Sequence, residues 1–143
     1  EYRRSLEEDY DARAEYNLGN AVYQQNQYDE AIEHFQDAAT SATDPDLRSD
    51  AFHNLGNAYH QKQEFQKSVD AYKNALRLDP KDLETKRNLA ISQKLLQMQQ
   101  QQQQQQSQDQ EQEQDENQDQ QDQQQQDQQQ PSPKQHLLKI LHP

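Results

Sequence analysis

Residues 49–82 decide the fold, and they read SDAFHNLGNAYHQKQEFQKSVDAYKNALRLDPKD. Two amphipathic helical patterns follow each other here, each with apolar residues at steps of three and four. The first contains Phe52, Leu55 and Tyr59, and the second contains Phe65, Val69, Tyr72 and Leu76. Residues 61–64 turn the chain between them, and Pro80 ends the second helix because proline cannot extend the hydrogen-bond ladder. The stretch therefore predicts an antiparallel helical hairpin.

Two small residues lie within these apolar stripes, Gly56 in the first helix (helix A) and Ser68 in the second (helix B). Glycine costs about 1 kcal/mol of helix propensity relative to alanine, which indicates a packing reason for it. We expect the two helix backbones to approach closely there, with Phe65 and Tyr72 filling the space beside them.

The hairpin pattern recurs along the chain. Leu18-Gly19-Asn20-Ala21 matches residues 55–58, and residues 28–38 match 65–75. Leu55 and Leu89 are 34 residues apart, the period of tetratricopeptide repeats, and the first interval is three residues longer because of residues 44–46. The order Leu-Gly, Tyr/Phe, Ala/Ser, aromatic, Ala and Pro resembles the tetratricopeptide repeat (TPR) family. This resemblance implies an all-α solenoid of stacked helical hairpins that binds other proteins.

The expected organisation has six parts. They are a remnant of a preceding repeat (1–11), repeat 1 (12–45), repeat 2 (49–82), a solvating helix (83–98), a Gln-rich acidic tail (99–133) and a short possible helix (134–143). Within the repeats we expect helices over 12–24, 28–41, 50–61 and 65–78, with a loop at 43–47. Residues 2–6 resemble 72–76, so we interpret the sequence as a fragment with any signal peptide or anchor upstream.

The third helix should carry Leu89, Ala90, Leu95, Leu96 and Met98 and cover the apolar face of the last hairpin. Residues 99–130 contain no aliphatic or aromatic residue, so burial cannot offset the entropy of ordering them. Because glutamine has good helix propensity, we expect the third helix to continue for a few turns and then fray into a disordered tail. Residues 134–142 contain four aliphatic residues and could dock on a partner or the repeats, or form a frayed end.

Composition excludes several classes of function. The net charge of -12 argues against nucleic acid or anionic membrane as a partner, since phosphate binding needs clustered Lys and Arg. The absence of cysteine excludes disulfides and thiolate chemistry, and no apolar run is long enough to span a membrane. No phosphate loop, paired-histidine metal motif or nucleophile elbow is present. We therefore predict no catalytic residue, cofactor or metal site, and no enzyme activity.

A second, polar stripe runs along each helix A and predicts a partner-binding groove. Its members are Arg13, Tyr16, Asn20, Tyr23 and Gln24 in repeat 1, His53, Asn57, His60 and Gln61 in repeat 2, and Arg87 in the third helix. An asparagine between two rings could bind a peptide backbone, because its amide both donates and accepts. For Asn20 and Asn57, bonding between helices is an equal alternative. Asn17, Asn54 and Asn88 are assigned to helix packing, and the three histidines of the repeats to solvent-exposed positions.

Some TPR proteins bind a C-terminal carboxylate through a clamp of Lys, Asn and Arg. Here Tyr16 and Glu84 stand where clamp lysines would be, and Arg87 is one residue from its expected place, so we expect no clamp. A narrower resemblance rests on residues 43–47, 51–59, 70–80 and 85–90, followed by acidic polyglutamine. The chain is similar to the BatC-type TPR proteins of bacterial aerotolerance (Bat) operons.

This narrower resemblance implies a periplasmic or envelope-associated scaffold that works beside Bat proteins carrying von Willebrand factor A domains. Two hypotheses follow. The first is a module that binds a protein or peptide in the groove. The alternative is a structural protein that self-assembles through exposed repeat ends and amide ladders of the glutamine tail.

Overall fold

Five α-helices make up the computed structural model of the chain, which describes residues 1–129. They are α1 (Tyr2–Gln24), α2 (Tyr28–Ser41), α3 (Pro45–Gln61), α4 (Phe65–Leu78) and α5 (Leu83–Gln129). Residues 1–129 contain no strand, and α1–α2 and α3–α4 form hairpins that stack through α2 and α3. The predicted all-α solenoid is therefore confirmed. The expected segment 134–143 lies outside the described residues.

Residues 1–99 form one compact unit, built around equivalent close contacts in the two hairpins. A Cβ on Gly19 would lie 2.6 Å from the Phe35 ring, and one on Gly56 would lie 2.5 Å from the Tyr72 ring. Both rings are buried, so neither can move aside. This confirms that the glycines serve helix packing. The third helix has exposed Ala90 at the corresponding position, because α5 continues to Gln129 without a turn that would fold a second helix back onto it.

Each hairpin turns at one residue in the left-handed backbone region, Asn26 with φ 62° and Gln63 with φ 60°. The two positions are equivalent in the repeats, and both follow the last turn of a helix A. A non-glycine residue is strained there, and asparagine less than most. The turn therefore stores strain at Gln63 that the surrounding packing must offset.

Helix α3 begins at Pro45, so the prediction of a loop at 43–47 and a helix start at residue 50 was wrong. Proline favours the first helical position, and the restriction it imposes falls on Asp44, which is extended and caps the helix by accepting from Asp46 N at 3.1 Å. Leu47 in the added turn is buried in a cluster with Ala12. The three extra residues thus lengthen a helix rather than a loop.

Helix α1 is continuous from Tyr2 to Gln24, so the helix expected to begin at residue 12 begins at Tyr2 instead. The assignment of residues 1–11 to a preceding repeat stays a prediction. No proline or glycine precedes Gly19, so the sequence contains no helix-breaking residue before residue 12. The first half of α1 has little to pack against. Tyr2, Leu6 and Tyr10 lie one turn apart and are all more than half exposed.

Residues 83–99 of α5 belong to the compact unit, but their contact face differs from the expected one. Thr85 and Ser92 are completely buried, whereas Ala90 and Met98 are exposed. Thr85 and Ser92 stand 34 residues after Ala51 and Ala58, which are the small buried residues of α3. The helix therefore covers the last hairpin through its row of small residues, while Leu89, Leu95 and Leu96 are half-buried.

Residues 100–129 continue as helix, and every one of them is exposed. The helix extends further than the few turns expected, because no proline or glycine interrupts it. Local bonds accompany it, such as Gln105 Nε2 to Asp109 Oδ1 at 3.1 Å. The expectation that these residues bury nothing is confirmed within residues 100–129. Fraying in solution stays a prediction.

Candidate binding site

Four of the predicted groove residues meet at one small pocket. The pocket has a volume of about 110 Å³ and is lined by Tyr23, Asn57, His60, Gln61, Tyr72, Asn88 and Ile91. Helix α1 contributes Tyr23, α3 contributes three residues, α4 contributes Tyr72 and α5 contributes two. Its lining includes no Asp, Glu, Lys or Arg. The pocket is therefore a polar but uncharged site where the helices A of both repeats and α5 converge.

Asn57 is tied to two helices by its carbonyl oxygen. Tyr72 OH donates to Asn57 Oδ1 at 2.5 Å, and Asn88 Nδ2 donates to the same atom at 3.4 Å. Burial raises the pKa of Tyr72 to about 12, so the phenol remains a donor. The Nδ2 of Asn57 has no hydrogen-bond partner within residues 1–129. Bonding between helices thus uses the oxygen of Asn57 and leaves its amide hydrogens available.

The hydrogen bonds of His60 fix which ring nitrogen carries the proton. Ser68 Oγ donates to Gly56 O at 2.9 Å, so in its 3.1 Å contact with Ser92 Oγ it must accept. Ser92 has then used its only hydrogen, and the 3.0 Å contact with His60 Nδ1 must be donated by the histidine. The neutral ring therefore has a bare Nε2, and that acceptor belongs to a side chain that lines the pocket.

The position of the ring proton of His53 follows from its hydrogen bonds in the same way, although His53 does not line the pocket. Thr85 Oγ1 donates to Asp82 Oδ2 at 2.6 Å and so accepts from His53 Nδ1 at 2.6 Å. The hydrogen bond from Thr85 lowers the pKa of Asp82, the residue that also caps α5 by accepting from the Thr85 and Glu84 amides. His53 thus fastens α5 to α3.

The prediction that the repeat histidines are solvent-exposed is wrong. Only 14% of the His53 side chain is exposed, and His60 and His34 are half-buried, the last bonded to Glu15 at 2.7 Å. Hydrophobic periodicity does not detect this interface, because the residues of α5 that bond to His53 and His60 are Thr85 and Ser92. The 34-residue alignment with Ala51 and Ala58 is the signal that would have found it.

Tyr16 and Asn20 take part in helix packing. Asn54 Nδ2 donates to Tyr16 OH at 3.0 Å and to Asn20 Oδ1 at 2.8 Å, joining α3 to α1. The Tyr16 ring also packs against Phe35, with centroids 6.0 Å apart. The packing role assigned to Asn54 is confirmed, and the same role is wrong for Asn17, which is exposed. For Asn20 the structure shows the helix-bonding alternative.

Arg13, Gln24 and Arg87 are exposed, and their side chains make no hydrogen bond within residues 1–129. None of them lines the pocket. Tyr23 does line it, and burial raises the pKa of its phenol, partly offset by the side chain of Gln61. The ten predicted groove residues therefore fall into three groups: four line the pocket, three bond between helices and three are exposed.

Sequence reasoning missed a second cavity on the side of helices α2 and α4. It has a volume of about 490 Å³, and Phe52 and Tyr59, both assigned to the core from the sequence, are half-buried in its wall. Tyr59 OH accepts from Gln36 Nε2 at 3.0 Å, and Lys67 lies 5.7 Å from its ring. Asp37 and Asp70 add two carboxylates to the lining. This cavity is larger, more open and charged.

Within the described residues, no three His, Cys, Asp or Glu side chains are placed to hold a metal ion. None of the described helices has a stretch both long and apolar enough to cross a bilayer.

Comparison with protein-family models matches residues 12–40 and 49–82 to the Tetratricopeptide repeat. These ranges overlap the two hairpins, so two stretches of the chain are similar to tetratricopeptide repeats, which generally mediate protein–protein interactions. No curated protein matches the chain with significant similarity.

Proposed function

We propose that the chain is a non-enzymatic module that binds a segment of a partner protein along helices α1, α3 and α5. The observation that carries this proposal is the convergence of Tyr23, Asn57, His60 and Gln61 on one uncharged pocket. Aromatic rings there offer flat apolar contact, and the amide of Asn57 offers unused hydrogens. Such a surface suits recognition, and nothing in it resembles a nucleophile with its base.

The narrower family resemblance suggests a partner and a compartment for the chain. The resemblance to BatC-type proteins supports a scaffold in a Bat envelope complex, with von Willebrand factor A domain proteins as the first partners to test. Under this proposal the protein acts in the periplasm or at the envelope. Fractionation of cells that produce the full reading frame tests the compartment, and recovery in the cytosol alone would contradict it.

Biolayer interferometry with immobilised full chain tests the groove directly. The test variant combines Tyr23→Ala with Gln61→Ala, which removes two pocket walls without touching the bonds of Asn57. The control combines Gln36→Ala with Asn74→Ala at the α2–α4 cavity. The test variant should weaken partner binding by about tenfold or more, since a contact at the centre of an interface contributes over about 1 kcal/mol. Equal weakening by both variants, or by neither, would refute the groove.

Self-association is the second candidate, and one observation favours it. The exposed residues Tyr2, Leu6 and Tyr10 form an apolar stripe at four-residue spacing along α1, and exposed Leu18 lies eight residues after Tyr10. Exposed apolar patches of this kind mark interaction sites. Light scattering on the wild type and on Leu6→Glu/Tyr10→Glu tests it. A mass above that of the monomer, reduced in the variant, is expected under this candidate, and a monomer in both would eliminate it.

A further inference from the structure

The unpaired hydrogen-bond donors and acceptors of the pocket at Asn57 determine which chemical group can bind there. It offers donors in the two amide hydrogens of Asn57 Nδ2, which have no partner within residues 1–129. When His60 is neutral it offers an acceptor in its bare Nε2, because the Ser68–Ser92 bonds place the proton on Nδ1. Asn88 Nδ2 donates a hydrogen bond to Asn57, and Asn88 Oδ1 has no partner within residues 1–129. Donors and acceptors thus stand together in one site.

Charge selects against ionic ligand groups. The lining contains no Asp, Glu, Lys or Arg, so an ion bound there would lose hydration without gaining a counter-charge. A carboxylate only accepts hydrogen bonds, and it would face the lone pairs of His60 Nε2 and Asn88 Oδ1. An ammonium only donates, and it would face the Asn57 amide hydrogens.

The size of the pocket agrees with a short side chain. A volume of about 110 Å³ admits a small group such as the four or five non-hydrogen atoms of an asparagine or glutamine side chain. Ile91 gives an apolar wall for the methylene groups of such a side chain.

We propose that this pocket selects a carboxamide, the side chain of an asparagine or glutamine in the bound segment. This rests on the proposed function of the same site. The carboxamide nitrogen donates to His60 Nε2 and Asn88 Oδ1, and its oxygen accepts from Asn57 Nδ2. The pocket therefore determines specificity at one position of the segment.

Selection of a random peptide library on the immobilised full chain tests the proposal. Enriched segments should share an asparagine or glutamine at one position, and synthetic versions with glutamate, lysine or methionine there should bind about tenfold or more weakly. The factor follows from burying one unpaired polar group. Segments that enrich and compete at the groove without an amide preference would overturn the carboxamide and leave the proposed function standing. No enriched segment at all would contradict both.

Asn57→Asp sharpens the test without removing a helix contact. The substitution keeps the oxygen that accepts from Tyr72 and Asn88 and replaces the free nitrogen with an anionic oxygen. The preferred side chain should then change from glutamine to lysine, by about tenfold in relative affinity. Asn74→Asp, outside the pocket, is the matched control and should leave the glutamine preference intact. An unchanged preference in Asn57→Asp would overturn the assignment.

Two sources could supply the carboxamide, because residues 99–129 of a second copy are rich in glutamine. If a second copy supplies it, the wild-type chain will associate as its concentration rises, and Asn57→Asp will remain monomeric in light scattering. If another protein supplies it, both will be monomeric and only the wild type will retain the glutamine-containing peptides. Association that Asn57→Asp leaves unchanged would place any copy-to-copy contact outside this pocket.

Discussion

Gly56→Ala should destabilise the compact unit even though alanine is the better helix former. The added Cβ would lie 2.5 Å from two carbons of the Tyr72 ring and 2.9 Å from a third. That ring is 2% exposed, and its hydroxyl is held by Asn57, so it has no low-energy way to retreat. Overpacking of this kind costs up to about 3 kcal/mol. The better helix propensity of alanine offsets about 1 kcal/mol of this cost.

The expected net loss from Gly56→Ala is about 2 kcal/mol in the free energy of unfolding, or about 10 °C in Tm for a domain of this size. Urea unfolding followed by tyrosine fluorescence measures it, because Tyr72 reports on the packed unit. Ala90→Gly is the matched control at the equivalent, exposed position of α5. It should cost no more than about 1 kcal/mol, from propensity alone. A Gly56→Ala protein as stable as the wild type would refute the close-approach argument.

Three further perturbations follow from the described contacts. Gln63→Asn should raise the free energy of unfolding by about 0.5 kcal/mol, because asparagine tolerates φ 60° better than glutamine; a lower value in urea unfolding would contradict the strain. Asn54→Ala should cost about 2 kcal/mol for its two hydrogen bonds, whereas exposed Asn17→Ala should stay within about 0.5 kcal/mol; equal losses would deny the α1–α3 link. The pKa of Asp82 is lower in the folded chain than its unfolded value of 3.8. The ionised carboxylate therefore stabilises the fold at pH above 3.8, and this stabilisation is lost as pH falls through the folded pKa. Asp82→Asn should therefore reduce the loss of stability seen in urea titrations as pH falls below about 4, and an unchanged pH profile would contradict the assignment.

The hairpins were predictable because their determinants are local and repeated. Leu-Gly pairs and aromatic residues recur at fixed spacing, Pro80 ends the second hairpin, and each has a steric reason that a single sequence exposes. The start of α3 was missed because Asp44-Pro45 was interpreted as a break, although proline is also the residue best suited to a first helical position. The same dipeptide is compatible with both outcomes until the packing of Leu47 is known.

The candidate site was predictable only in part, because its geometry depends on α5. The polar stripes on α1 and α3 predicted that Tyr23, Asn57, His60 and Gln61 would share one surface, and these four residues line one pocket. The contribution of Asn88 and Ile91 was missed, since polar and small residues form the contact face of α5 and hydrophobic periodicity does not detect them. Hydrogen-bond partners such as Ser92 for His60 likewise depend on register between helices.

Chemical-shift mapping on the isotopically labelled full chain tests the central claim most directly. The claim is that the stacked helices form a surface whose uncharged pocket makes the contact with the partner. When a peptide that binds the chain is added, the largest chemical-shift changes should fall on Tyr23, Asn57, His60 and Gln61. Shifts concentrated instead on Gln36, Tyr59 and Asp70, at the α2–α4 cavity, would contradict it.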